Sequence, residues 1–367
     1  MKFSIDKHIL LDPLKRVASA LPSKNLIPIL SGILFVSDEN GLSMTAGNSF
    51  IFIRETIDPD DFQSIRVGSV VLPGARMVEI VNKSGDVLDI EIKNLEVTIK
   101  SGSSKFKLTG LETEDYPEIP EVDAEPITLP AEIFKKAVKK TAFSVATDKT
   151  SAPVLTGVNF VFREGKLRAT ATDRNRMSRT VINVDSDSEF STVVSGDNLS
   201  TMLKALPDGD IVFQFGYAGF VARSSGVTFY SRVLEGTFPN VETKLSQPYI
   251  TTATVEISEM MSALENVNIV AKEEKTHKAK VTVAEDVYFE SKTESGVADA
   301  VVHSTEFSGE KIILAFNIEF VLEALKNLDG KHAQIGFMGL TEPIVIKGVE
   351  DSNTLHVVLP YRIQATV

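Results

Sequence analysis

One pattern recurs three times along the 367 residues, and it limits the fold more than any single motif does. Near residue 75 an apolar run ending Val71, Leu72, Pro73, Gly74 leads into the helical stretch Ala75 to Val81. Gly85 stops it, and the alternating run Val87, Leu88, Asp89, Ile90, Glu91, Ile92 follows. Near residue 197 the same grammar runs from Val194 through Leu199 to Leu206, is stopped by Pro207 and Gly209, and continues as Ile211, Val212, Phe213. It returns as Phe316, Asn317, Ile318 to Leu325, then Gly330, then Ala333 to Phe337. The stop glycines stand about 120 residues apart. Hairpins keep the same phase: Ser31 to Phe35 with the turn Asn40–Gly41 matches Thr156 to Phe160 with the turn Glu164–Gly165. Tyr116–Pro117 and Phe238–Pro239 close the first two copies, and the acidic, proline-containing segment Glu118 to Pro126 reads as a linker. The repeat predicts three modules, 1–124, 125–246 and 247–367. Duplication of a stable α+β unit would give the same pattern with no functional meaning, so the helices must supply the function.

With 43% hydrophobic residues, each module has enough apolar surface to bury a core. The absence of cysteine excludes disulfides, thiolate nucleophiles and thiolate zinc sites, which suits a reducing compartment. No apolar run reaches the roughly 20 residues of a membrane span, and the N-terminus lacks a basic region followed by an apolar core. The expectation is a soluble, cytoplasmic protein. A net charge of −12 argues against nucleic-acid binding over the average surface, but the distribution of charge matters more than its sum.

The second copy opens with Pro130 and a helix to Phe143. At about 100° per residue, Ile133, Phe134, Ala137, Val138 and Thr141 share one arc, and Lys135, Lys136, Lys139 and Lys140 the opposite one. Four lysines so close repel one another. Such a face either is simply solvated or lies against a polyanion. The first copy's opening helix, Leu10 to Leu21, carries Lys15 and Arg16; the third's, Ser258 to Val270, is not basic.

Leu21, Pro22, Ser23, Lys24 with Ile27 to Gly32 is similar to the opening of the bacterial DNA polymerase III beta subunit (beta sliding clamp) family. Ala171, Thr172, Asp173 with Arg176 and Met177 resembles its motif after the second hairpin, and Val357 to Ile363 its C-terminal signature. The resemblance spans essentially the whole chain. It implies an α+β fold of three repeated DNA-clamp domains, each with two helices packed on antiparallel sheets, together making half of a closed ring. It further implies a homodimer around duplex DNA, bound through phosphates without reading sequence. Lys24, Lys135, Lys136, Lys139, Lys140 and Lys149 are the expected DNA-binding residues. No cofactor, metal or membrane is implied.

Partners in that family, the replicative polymerase and the clamp loader, dock short linear peptides between the second and third units. The matching positions are Leu155, Thr172, Arg174, Asn175, Arg176, Met177, Pro239, Val241, Pro343, Val357, Val358, Leu359, Pro360, Tyr361 and Arg362. Leu155, Met177 and Val358 serve equally well as core residues. Arg174 and Asn175 stand where the family often has glycine and histidine, and Thr243 and Lys244 where it has an arginine and an apolar residue. Residues 364–367 extend past the usual end and are expected over the groove. For the dimer contact the resemblance points to Arg76, Ile80, Phe106 and Leu108 against Ile269 and Val270, beside Ser295 to Asp299, a stretch with few acids.

Nothing in the sequence converges on catalysis. His8, His277, His303, His332 and His356 are scattered without metal-ligand spacing, no glycine loop with lysine cradles a phosphate, and Asp173 suits a turn better than an acid catalyst. The expectation is a non-catalytic processivity subunit. The alternative is a paralogue that never loads on DNA and acts as a scaffold binding or sequestering replication partners.

Overall fold

A computed structural model describes every residue except 24–26, 149, 185–187, 218, 242–244, 246 and 363–367. Lys24, Lys149, Thr243, Lys244 and the extension 364–367 therefore lie outside the described residues. The first repeat runs β1 Lys2–Asp6, α1 Lys7–Ala18, β2 Gly32–Asp38, β3 Gly41–Gly47, β4 Ile51–Ile57, β5 Gln63–Arg66, β6 Gly68–Pro73, α2 Gly74–Lys83, β7 Val87–Lys93, β8 Glu96–Ser101 and β9 Ser104–Thr109. The second runs β10 Ile127–Pro130, α3 Ala131–Ala142, β11 Gly157–Arg163, β12 Lys166–Thr172, β13 Arg176–Asn183, β14 Phe190–Ser195, α4 Gly196–Ala205, β15 Asp210–Phe215, β16 Gly219–Ser224 and β17 Val227–Arg232. The third has β18 Thr251–Glu256, α5 Ile257–Ala271, β19 Lys278–Val283, β20 Asp286–Lys292, β21 Val297–Gly309, β22 Ile312–Asn317, α6 Ile318–Lys326, β23 His332–Phe337, β24 Ile344–Gly348 and β25 Thr354–Val358. Among the described residues every strand pairing is antiparallel, and the α+β class follows from the six helices laid on these sheets.

The first and third opening helices start earlier than side-chain periodicity predicts, at Lys7 and Ile257, and the second one residue later, at Ala131, because the sheet sets their first residue. Where each preceding strand ends, the next backbone N–H donates to a carbonyl after the repeat's second helix: Lys7 to Asp86 at 2.8 Å, Ala131 to Gly209 at 2.7 Å, Ile257 to Lys331 at 2.9 Å. One device, used three times, replaces a side-chain cap. The last helix has one as well: Asn317 accepts from the N–H groups of Glu319 and Phe320. Pro130 ends β10 rather than entering the helix.

Contacts divide the chain into two compact units, residues 1–135 with 197–233 and residues 136–196 with 234–367. The division cuts the second repeat because hydrogen-bonded sheets outrank sequence phase. In the first unit β17 pairs with β4 inside an eight-stranded sheet, beside a five-stranded sheet ordered β5-β1-β7-β8-β9. In the second, β13 pairs with β25 inside a twelve-stranded sheet.

The expected linker is a strap in the first unit. Val122 is buried and Ile119 and Ala124 half-buried against Leu30, Phe52, Val71, Tyr116 and Tyr230, and Gln214 donates to the carbonyls of Val122 and Ala124 at 3.1 and 2.9 Å. The Tyr116 hydroxyl donates to the Thr45 carbonyl at 3.0 Å, and burial pushes its pKa well up.

Candidate functional site

In the second unit the turn after β12 meets the end of β25. Asp173 sets its shape by accepting from the N–H groups of Asn175 and Arg176 at 2.9 and 3.0 Å, while the Thr172 hydroxyl donates to the Arg176 carbonyl at 2.7 Å. This local backbone role for Asp173 is the one its residue type suits. Leu359 N–H then donates to the Asn175 carbonyl at 2.8 Å, locking the C-terminal segment to the turn.

Between them opens a cavity of about 410 Å³. Of the residues singled out from the sequence it gathers Thr172, Arg174, Arg176, Met177, Pro239, Val241, Pro343, Val357 and Leu359. Its wall also includes Asn240, Leu245, Thr341 and Glu342, which sequence reading missed although each neighbours a named position or a turn. The apolar base is continuous: Met177 packs with Met338, Val345, Leu355 and Val357, and Val241, Leu245 and Tyr249 lie against them. Leu359, on the cavity wall, is 41% exposed, and Leu340, next to the lining residue Thr341, is exposed as well.

The remaining singled-out positions stand elsewhere. Leu155 is buried with Ala146, Val154 and Val193, and Val358 is buried in the third repeat's core. For both, the core reading is the one their packing fits. Asn175 contributes its carbonyl. Pro360 and Arg362 follow Leu359 outside the cavity wall, and Tyr361 is drawn the other way, its N–H donating to Ala315 and its hydroxyl to Thr276.

Arg176 is a fixed part of the wall. It donates to Asp173 at 3.0 Å and to the Phe143 carbonyl at 2.8 Å, pairs with Glu323, and lies 4.5 Å from the Phe320 ring centroid. Behind it Ser178 bridges Ser144 at 2.6 Å and His356 at 2.8 Å. Burial first, and then the Lys140 charge, push the His356 pKa down to about 3, so the ring is neutral at pH 7.

The expected lysine arc on α3 is corrected at both edges. Ile133 is 45% exposed, whereas Lys140 is 7% exposed and inside the fold. Lys140 donates to Asp329 at 2.6 Å and to the Thr354 hydroxyl at 3.2 Å, and it contacts Asp351. A buried ammonium needs such partners, and these remove it from the candidates for phosphate contact. Lys135 is also engaged, donating to the Leu206 carbonyl at 2.8 Å and to Asp208 at 3.0 Å. Lys139 and Lys136 are exposed, the latter 2.8 Å from Asp329. On α1, Lys15 is exposed while Arg16 forms a two-pronged pair with Glu55 at 2.9 and 2.5 Å.

Of the residues expected at a dimer contact, Arg76 is exposed and Ile269 is 61% exposed, Phe106 and Val270 are half-buried, and Ile80 and Leu108 are buried. Among the described residues, no group of three or more His, Asp or Glu could hold a metal ion, and no helix is long and apolar enough to cross a membrane.

Three repeats, each of two helices on antiparallel sheets and each joined to the next by strand pairing, define an α+β fold of repeated clamp domains. The chain superposes on the crystal structure of the DNA polymerase sliding clamp from Bacillus subtilis with a TM-score of 0.95, covering 99% of this chain and 100% of that one at 28% identity. It belongs to the DNA polymerase III beta subunit family, whose N-terminal, central and C-terminal domains match residues 1–120, 128–240 and 245–362. In sequence it is 30% identical over 379 residues to the beta sliding clamp of Bacillus subtilis, covering 99% of this chain and 100% of that protein. It is 30% identical over 375 residues to the beta sliding clamp of Staphylococcus aureus, covering 99% of each.

Proposed function

We propose that two copies of this chain close into a ring around duplex DNA, slide on it without reading sequence, and hold a polymerase or loader by a short extended peptide seated in the cavity of Met177 and Val357. In this reading the protein is a non-catalytic processivity factor of the cytoplasm, with modules 1–124, 125–246 and 247–367.

The observation that carries the reading is a strand register used twice. The first repeat joins the second with Phe52 opposite Tyr230 and Glu55 opposite Val227; the second joins the third with Met177 opposite Val357 and Thr180 opposite Thr354. Phe52, Met177 and Val297 are equivalent, since each pairs across its own hairpin, with Gly47, Thr172 and Lys292 respectively. Ser104 is equivalent to Val227, because each directly follows a two-residue turn, after Ser101 and Ser224. Continuing the rule sets β21 of one copy against β9 of the other: Ala300 opposite Ser104, Asp299 opposite Lys105, Ala298 opposite Phe106, Val297 opposite Lys107. Chemistry agrees with the extrapolation. It places opposite charges across from each other at 105 and 299, and a small residue across from a large one at 106 and 298. β9 is a free edge of its sheet, the kind of edge that pairs with another chain. Arg76 and Ile269 would flank the seam, backed by Ile80, Leu108 and Val270.

A closed ring is held on DNA by its topology, so a few exposed cations suffice, and Lys15, Lys136 and Lys139 serve, with Lys24 and Lys149 as further candidates. Loose phosphate contacts permit sliding. The test is retention on nicked circular DNA at moderate salt: the protein stays on circles and is lost when they are linearised. Equal release from both forms overturns the reading.

A further inference from the structure

Two arginines line the cavity, and they differ in what they have left to give. Arg176 is occupied by Asp173, Glu323, the Phe143 carbonyl and the Phe320 ring. Arg174 is exposed, and among the described residues its guanidinium takes part in no hydrogen bond or ion pair within the distances of one. The carboxyl of Asp148 feels its charge, but that carboxylate is already bound to the Thr150 N–H and hydroxyl, both at 2.6 Å, and to the Ser151 hydroxyl at 3.0 Å.

The backbone at 174 sharpens the point. Its φ is +78°, in the left-handed region that glycine enters freely and side chains enter under strain. The turn is fixed around it, since the Arg174 N–H donates to the Thr172 hydroxyl at 3.2 Å and Asp173 binds the next two N–H groups. Nothing in the fold asks for a long side chain there, and a strained residue beside a cavity points to function. Around it the wall is chiefly apolar, with Met177, Pro239, Val241, Leu245, Val357 and Leu359.

We propose that Arg174 is a specificity-determining residue that selects, among extended apolar peptides entering this cavity, those carrying an aspartate or glutamate beside the apolar anchors. The inference rests on the peptide-groove reading above. A carboxylate completes the guanidinium with a two-pronged, charge-assisted pair while the anchors cover the apolar base. Glu342 also lines the cavity and disfavours a carboxylate placed beside it, so the preference belongs to one position along the peptide.

The experiment uses the full chain and fluorescence anisotropy with labelled hexapeptides built on leucine and phenylalanine anchors. A single aspartate is walked along the series, and each peptide has an asparagine twin. At one position the aspartate form binds about three- to fivefold tighter than its twin at low salt, and the gap narrows at high salt. Arg174→Gly, which suits the backbone and whose fold is checked by thermal melting, abolishes the gap. Twins that bind alike at every position, or a gap that survives Arg174→Gly, overturn the proposal while the groove stands. Failure of every peptide to bind removes the groove reading and this proposal together.

Discussion

Ser178 Oγ and His356 Nδ1 stand 2.8 Å apart across the β13–β25 pairing, inside the fold, with the Phe143 ring 5.4 Å from the imidazole. The histidine pKa falls from 6.5 to about 3 on folding, by burial first and then by the charge of Lys140. Below pH 6.5 the unfolded chain takes up a proton that the folded chain refuses, so acid favours unfolding. Above pH 6.5 the ring is neutral in both states and the effect is constant. Urea unfolding at pH 7 and pH 5 is expected to show a loss of up to about 2 kcal/mol from this group. His356→Phe, which keeps a ring beside Phe143, shrinks that loss. An unchanged difference refutes the assignment.

Lys140 holds Asp329 and Asp351 together. Burial pushes both carboxyl pKa values up, yet hydrogen bonds from lysine outweigh it and hold both below the usual range. Lys140→Met strands the buried Asp351 and is expected to cost on the order of 3–5 kcal/mol in urea unfolding. Adding Asp351→Asn recovers much of that loss. If the double variant is no more stable than the single one, the ion cluster is not the source.

Leu359 lines the cavity and is partly accessible. Leu359→Asn is expected to weaken binding of an apolar hexapeptide by about tenfold, with little change in thermal stability. Native affinity in this variant would mean that the peptide does not use this wall.

The chain has no cysteine, which makes the predicted seam directly testable. Lys105→Cys combined with Asp299→Cys places sulfurs on directly opposed strands, within reach of a disulfide. Mild oxidation is expected to give a species of twice the chain mass, and still longer species only as rings open. Lys107→Cys with Asp299→Cys, which is out of register, crosslinks poorly. Equal yields from the two pairs refute the register.

The repeat, its helices and its glycine stops are legible in the sequence because apolar periodicity and turn residues act over a few positions. Helix starts are not, since carbonyls such as those of Asp86 and Lys331 set them from outside the helix. The lysine arc misled for the same reason. Lys140 meets carboxylates 189 and 211 residues away, and no window around α3 contains them. Thr172, Met177 and Val357 were identifiable through their family signature, whereas Leu245 has no such mark and enters the wall by packing on Met177 and its neighbours. The strap at Val122 was hidden by its acidic surroundings, which describe its exposed side and not the residues that pack.

The joints within the chain are more than ladders of backbone bonds. Thr180 reaches Thr354 at 3.1 Å and Ser178 reaches His356 across one, and the Phe52 and Tyr230 rings meet at 6.2 Å across the other. In the proposed ring, the register sets Lys105 opposite Asp299 and Phe106 opposite Ala298, a surface ion pair and an apolar contact in place of those links. If the ring forms as proposed, its seams are therefore the joints that would open first, leaving each chain intact.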